Sequence, residues 1–168
     1  MNKKYLPALV CGFGAAVLTT VPGMEGIACC LLVPVASGIS IVLYKKSQQG
    51  VLKIDTGTGI MLGLFTAIFA ALFASGFEII ITYLTRTSDL VTSLPQAESV
   101  IKDMNIGQAA DDAMELLKQM VAEIQSKGFS FYFSLIITLT NLISYSIFGM
   151  LGGVVATAII NKRNIRSS

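Results

Sequence analysis

Residues 58–84 form a block of twenty-seven residues with a single charged side chain, Glu78. About 20 apolar residues in a helix suffice to cross about 30 Å of hydrocarbon. Such a block is longer than the interior of a small soluble domain can use. Three further apolar blocks accompany it, at residues 5–21, 27–44 and 130–160. Composition agrees: 54% of the 168 residues are hydrophobic, 13% are charged, and the mean hydropathy is +0.73. An ordinary soluble domain carries about 25% charged residues. These features predict an all-α fold, a single-domain integral membrane four-helix bundle over residues 1–168.

Within the third block the side chains are sorted by size. Small residues recur at Gly59, Gly63, Ala67, Ala71 and Ser75, and phenylalanines at Phe65, Phe69, Phe73 and Phe77. A four-residue step turns about 400° around a helix, so each series stays broadly on one side. The two series are offset by two residues, about 200°, and therefore lie on opposite sides. Lipid gives helices no hydrophobic reason to associate, so close backbone approach and polar links must hold them together. The small side is expected to press on a neighbouring helix, with the rings filling grooves or facing lipid. Matching surfaces occur elsewhere. Ala8, Gly12, Ala16 and Thr20 form a small row in the first block. Gly149, Gly152, Gly153 and Ala156 continue a polar row through Thr138, Asn141 and Tyr145 in the fourth. The same rows suit packing within one bundle or a homodimer.

Basic residues near span ends mark the cytoplasmic side. Lys3, Lys4, Lys45, Lys46, Lys53, Lys162, Arg163 and Arg166 fall on one side, which is eight of the twelve Lys and Arg. Arg86, Lys102, Lys118 and Lys127 fall on the other. Both termini are therefore expected in the cytoplasm of a bacterial cell, with the protein multi-pass in the cytoplasmic (inner) membrane. The amino terminus resembles a signal peptide, but no small-x-small cleavage site follows it, so it reads as a retained span. Pro22-Gly23 breaks the first span and Pro34 is expected to kink the second.

Residues 86–128 are polar and helix-prone, an extracytoplasmic amphipathic insert between spans three and four. Ser93 and Gln96 have the spacing of a capping box, predicting a short helix to Met104 and a break at Asn105–Gly107. A second helix follows from Ala110, Ala113, Leu117, Met120 or Val121, and Ile124, which recur at helical spacing, and it is ended by Gly128. Its polar face is largely acidic, whereas helices that lie on lipid are usually basic. Packing against the outward ends of spans three and four, or against another subunit, suits it better.

Little in the chain points to chemistry. Histidine is absent, which removes the commonest general base and metal ligand. Cys11, Cys29 and Cys30 sit in apolar runs without CxxC spacing and read as small apolar residues. Asp55-Thr56-Gly57 matches the Asp-Thr-Gly of aspartic proteases, but those need two such aspartates. Here Asp55 opens a helix, where it serves as an N-cap. The glycines of GTGIMLG lack the strand and the acid of a dinucleotide loop. No catalytic, cofactor-binding or metal-binding residue is assigned.

Polar groups within a membrane are costly to bury without partners. Glu78 is the sole acid in an apolar run, and Asn141 and Tyr145 are its candidate partners if it is buried. Counted along their spans, Glu78 and Asn141 come near the outer interface at similar depth, where Glu78 would instead be hydrated.

A third span opening with the Gly-rich DTGTGIMLG, followed by a polar helical insert before the last span, resembles uncharacterised small four-span bacterial membrane proteins. The resemblance implies a four-helix fold of unknown function and transfers no functional residue. The expected function is non-enzymatic: a packing or accessory protein in the lipid bilayer that self-associates as a homo-oligomer or binds a membrane protein partner, with no role for nucleic acid. The alternative is a small transporter or channel subunit using Glu78 and the polar face of span four.

Overall fold

The structure, a computed structural model, describes residues 5–21, 25–48, 53–104 and 107–166. Lys3, Lys4, the expected turn at Pro22-Gly23 and the expected break at Asn105 lie outside the described residues, as do the side chains of Cys29, Lys102, Arg163 and Arg166. Among the described residues all regular structure is helical. The elements are α1 (Leu6–Thr19), α2 (Glu25–Ser47), α3 (Thr56–Thr85), α4 (Asp89–Met104), α5 (Gln108–Lys127) and α6 (Phe131–Arg166). Among the described residues, three helices are long and apolar enough to cross a membrane, over Cys30–Ser47, Thr56–Thr85 and Phe131–Lys162. The first apolar helix, α1, has 14 residues and is shorter than these.

Local chemistry sets several of these boundaries. Asp55 caps α3 as expected: its Oδ2 accepts the Thr58 N–H at 3.3 Å, and the Gly59 N–H reaches the Asp55 carbonyl at 3.1 Å. α3 stops where Arg86 turns to φ 54°, a left-handed conformation, and the Thr85 hydroxyl donates back to the Ile81 carbonyl at 2.8 Å. α5 ends at Gly128, also left-handed at φ 76°, whose N–H bonds the Ile124 carbonyl at 2.7 Å. One sequence expectation is corrected. Ser93 does not cap α4; the helix starts a turn earlier, at Asp89, with the Thr92 N–H on the Ser88 carbonyl at 3.2 Å. Ser93 lies inside the helix and its hydroxyl donates to the Asp89 carbonyl at 2.6 Å. An acid in the first turn suits the helix dipole, and Pro95, seven residues into α4, lies within the helix.

The chain forms two compact units, one from Met1–Gly76 with Thr138–Ser168 and one from Phe77–Ile137. In the first, α1 packs on α2, and Ile41, Ile54 and Leu62 form a buried cluster with Tyr44, Ala156 and Ile160 against it. In the second, α4 packs on α5. Met120, Ile124 and Phe133 are its buried centre, covered by Leu90, Val91, Leu117 and Ile137. Lys118 of α5 pairs with Glu98 of α4 at 3.2 Å on the surface, where such pairs contribute little.

Candidate functional site

The small side of α3 faces α6 at backbone contact. A Cβ on Gly63 would collide with the Gly149 carbonyl, and one on Gly149 would collide with Ala67 and stand 2.7 Å from the Gly63 carbonyl oxygen. Gly59 meets Gly153 and Thr157 in the same way. Ala67, Ala71 and Ser75 continue the contact side as buried residues. At its upper end the Asn141 amide donates to the Ser75 hydroxyl at 3.0 Å. The seven residues Gly59, Gly63, Ala67, Ala71, Ser75, Gly149 and Gly153 are thus all part of the buried interior of the first unit.

α1 and α2 also contact α3. A Cβ on Gly12 of α1 would stand 2.7 Å from the Thr66 carbonyl and 2.8 Å from the Phe69 Cβ. The phenylalanine series meets the same helix: Phe73 packs edge-on to Phe13 with ring centroids 5.3 Å apart, and Phe65 lies 4.8 Å from the Tyr5 ring. The rings therefore fill the groove beside α1. From α2, the Ser37 hydroxyl bonds its own Val33 carbonyl at 2.9 Å and reaches the Gly63 carbonyl at 3.5 Å. Pro34 lies against Gly152 of α6.

A polar clasp that sequence reading missed closes the start of α3. The Asn161 Oδ1 accepts the Ile54 N–H at 3.0 Å, and its Nδ2 donates to the Ile54 carbonyl at 2.8 Å. One side-chain amide thus satisfies both backbone groups of a buried residue. A polar residue just after an apolar run was the available signal, but charged neighbours disguised it as part of a tail. Buried hydroxyls of Ser40, Ser88, Ser130 and Thr157 have no hydrogen-bond partner among the described residues.

Of the polar residues singled out in the sequence, Asn141 and Tyr145 belong to the first unit and Glu78 to the second. Asn141 is half-buried and bonded to Ser75, and Tyr145 is buried. Glu78 is half-buried and has no hydrogen-bond or ion-pair partner among the described residues. Among the described residues no three His, Cys, Asp or Glu side chains come together in a metal-binding group.

Polarity is arranged inside out. Apart from Val33, Ile41, Ile54, Leu62 and Tyr145, the buried side chains of the first unit are Ala, Ser or Thr among the described residues. Its exposed surface carries large apolar groups instead. On α6, Ile143, Ile147, Leu151, Val155 and Ile159 form a ridge at four-residue steps, each between 50% and 62% exposed. Leu31, Val35, Ile39 and Leu43 form a similar ridge on α2. Comparison with known proteins finds no matching family model, no similar curated protein and no similar solved structure.

Proposed function

We propose that this chain is an integral membrane protein of four spans that acts without catalysis, as a packing or accessory subunit that self-associates or binds a membrane partner. The observation that carries this reading is the inverted polarity: small and hydroxylated residues inside, ridges of Ile, Leu and Val outside. Water would penalise those ridges, since a soluble monomer rarely exposes apolar patches beyond a few hundred Å², whereas lipid does not. α1 with Tyr5, Thr20 and Val21 reaches about 25 Å, enough to pair with α2 as a hairpin across a locally thinned bilayer. The distribution of Lys and Arg puts both termini in the cytoplasm and α4 and α5 on the opposite side. The small rows are spent on contacts within the chain, which leaves the outer ridges as the surface for lipid or a partner helix. A native pull-down in gentle detergent with subunit counting tests this: a stable oligomer or a membrane protein partner is expected. A chain that remains monomeric and dispersed in plain buffer rules it out.

A second reading has one observation in its favour. Glu78 is half-buried without a cation or hydrogen-bond partner among the described residues, and an acid in such a position is a candidate for an ion or proton path. A small transporter or channel subunit would show flux in proteoliposomes that Glu78→Gln abolishes. No flux leaves the accessory role.

A further inference from the structure

The second unit exposes aromatic rings where α3 ends and α6 begins. Tyr83 is 60% exposed, Phe131 64%, and Phe129 and Tyr132 are likewise exposed. The two chain segments are in contact there: a Cβ on Gly128 would stand 2.7 Å from the Tyr83 carbonyl oxygen. The Phe131 and Tyr132 rings meet edge-to-face with centroids 6.1 Å apart. Packing within the unit leaves these four rings exposed. At the boundary between hydrocarbon and headgroups such rings are favoured, because an apolar body and a polar edge each find their solvent.

Charge supports the same occupant. Arg86 follows Tyr83 by three residues, and Lys127 precedes the Gly128 that touches it; both side chains are exposed. Asp89 also lies nearby, in the first turn of α4, where the helix dipole favours an acid. Exposed cations beside exposed rings complement a layer of lipid phosphates.

We propose that Tyr83, Phe129, Phe131 and Tyr132, flanked by Arg86 and Lys127, form the surface at which this protein meets the headgroups of an anionic lipid bilayer. The membrane boundary next to α4 and α5 then runs at Tyr83. Glu78, five residues earlier in α3, lies about 7.5 Å along the helix axis on the hydrocarbon side of it. This inference rests on the membrane reading above and goes beyond it by fixing the boundary and the lipid chemistry that contacts it.

The chain contains no tryptophan, so a single introduced indole reports one depth. Tyr83→Trp, Phe129→Trp and Tyr132→Trp are reconstituted separately in vesicles of phosphatidylcholine and phosphatidylglycerol carrying a quencher at the headgroup or near the acyl-chain end. Leu72→Trp, on the exposed apolar side of α3, serves as the membrane reference. The expected result is a larger loss of emission with the headgroup quencher at the three ring positions, and with the acyl-chain quencher at Leu72→Trp. Arg86→Gln with Lys127→Gln is expected to reduce ring-position quenching by a headgroup-labelled phosphatidylglycerol, while a labelled phosphatidylcholine is unaffected. If Leu72→Trp is quenched by the acyl-chain probe but the ring positions respond to neither probe, or respond equally to the deep one, the boundary is elsewhere and the proposal is overturned. If Leu72→Trp itself escapes both probes, the membrane reading fails with it. Three ring positions guard against a single variant that does not fold.

Discussion

The Gly63 and Gly149 backbones lie so close that the carbonyl of each occupies the space a Cβ on the other would need. The contact sits in the middle of the α3–α6 interface, where no side chain can lend slack. Gly63→Ala and Gly149→Ala are each expected to destabilise the fold by about 1–3 kcal/mol, the usual range for an overpacked interior. Larger residues should prevent assembly. Gly14 and Gly76 provide the contrast, since nothing lies within 4 Å of a Cβ at either site. Gly14→Ala and Gly76→Ala should be neutral or stabilising by up to about 1 kcal/mol, through helix propensity. Reversible unfolding of the purified protein in mixed micelles measures all four, and equal losses at all four sites would contradict the interface.

The Asn141–Ser75 hydrogen bond should be a measurable but modest coupling. Interhelical hydrogen bonds in membrane proteins average about 0.6 kcal/mol and reach about 1.7 kcal/mol. A double-mutant cycle of Asn141→Ala and Ser75→Ala is expected to return a coupling in that range. A coupling indistinguishable from zero would mean that the small side of α3 holds α6 by packing alone.

Removing the clasp at Ile54 should cost more. Asn161→Leu leaves a buried N–H and a buried carbonyl without partners, a penalty of about 1–3 kcal/mol for each such group. Amide hydrogen exchange at Ile54 is expected to accelerate sharply, with little change at the Phe65 amide deeper in α3. Asn161→Asp should give an intermediate effect, because a carboxylate still accepts the N–H but cannot donate to the carbonyl.

Gly128 combines two constraints in the second unit. Its φ of 76° is a conformation that only glycine adopts freely, and a Cβ there would press on the Tyr83 backbone. Gly128→Ala should therefore destabilise this unit by more than the roughly 1 kcal/mol of left-handed strain alone. Limited proteolysis of the 86–128 region is the direct measurement, with faster cleavage expected. Gly107→Ala gives a contrast: it has open space around it, but at φ 73°, ψ −149° it lies in a region essentially open to glycine alone, so its cost should be purely conformational, about 1–3 kcal/mol.

The helices were largely legible in the chain. The apolar block at 58–84 became α3 over Thr56–Thr85, and the block at 130–160 became the body of α6 over Phe131–Arg166. Asp55 and Gly128 announced a start and a stop because capping and left-handed turns depend on a few neighbouring residues. Ser93 misled for the same reason: its pattern with Gln96 was real, but Asp89 and Ser88 supplied an earlier start. The ridge from Ile143 to Ile159 is also present in the chain as a four-residue step, but spacing alone does not say whether such a row faces lipid or a neighbouring helix.

Partner choice was a different matter. The sequence alone determined that α3 has a smooth side and an aromatic side, since that follows from 3.6 residues per turn. Only the tertiary structure decided that the smooth side takes α6, that the rings take α1, and that Asn161 reaches Ile54 across 107 positions of chain. The physical reason is range. Helix formation and its punctuation are settled by contacts within a turn or two, whereas several small-residue surfaces in one chain are nearly interchangeable until shape, at the scale of a single Cβ, selects among them.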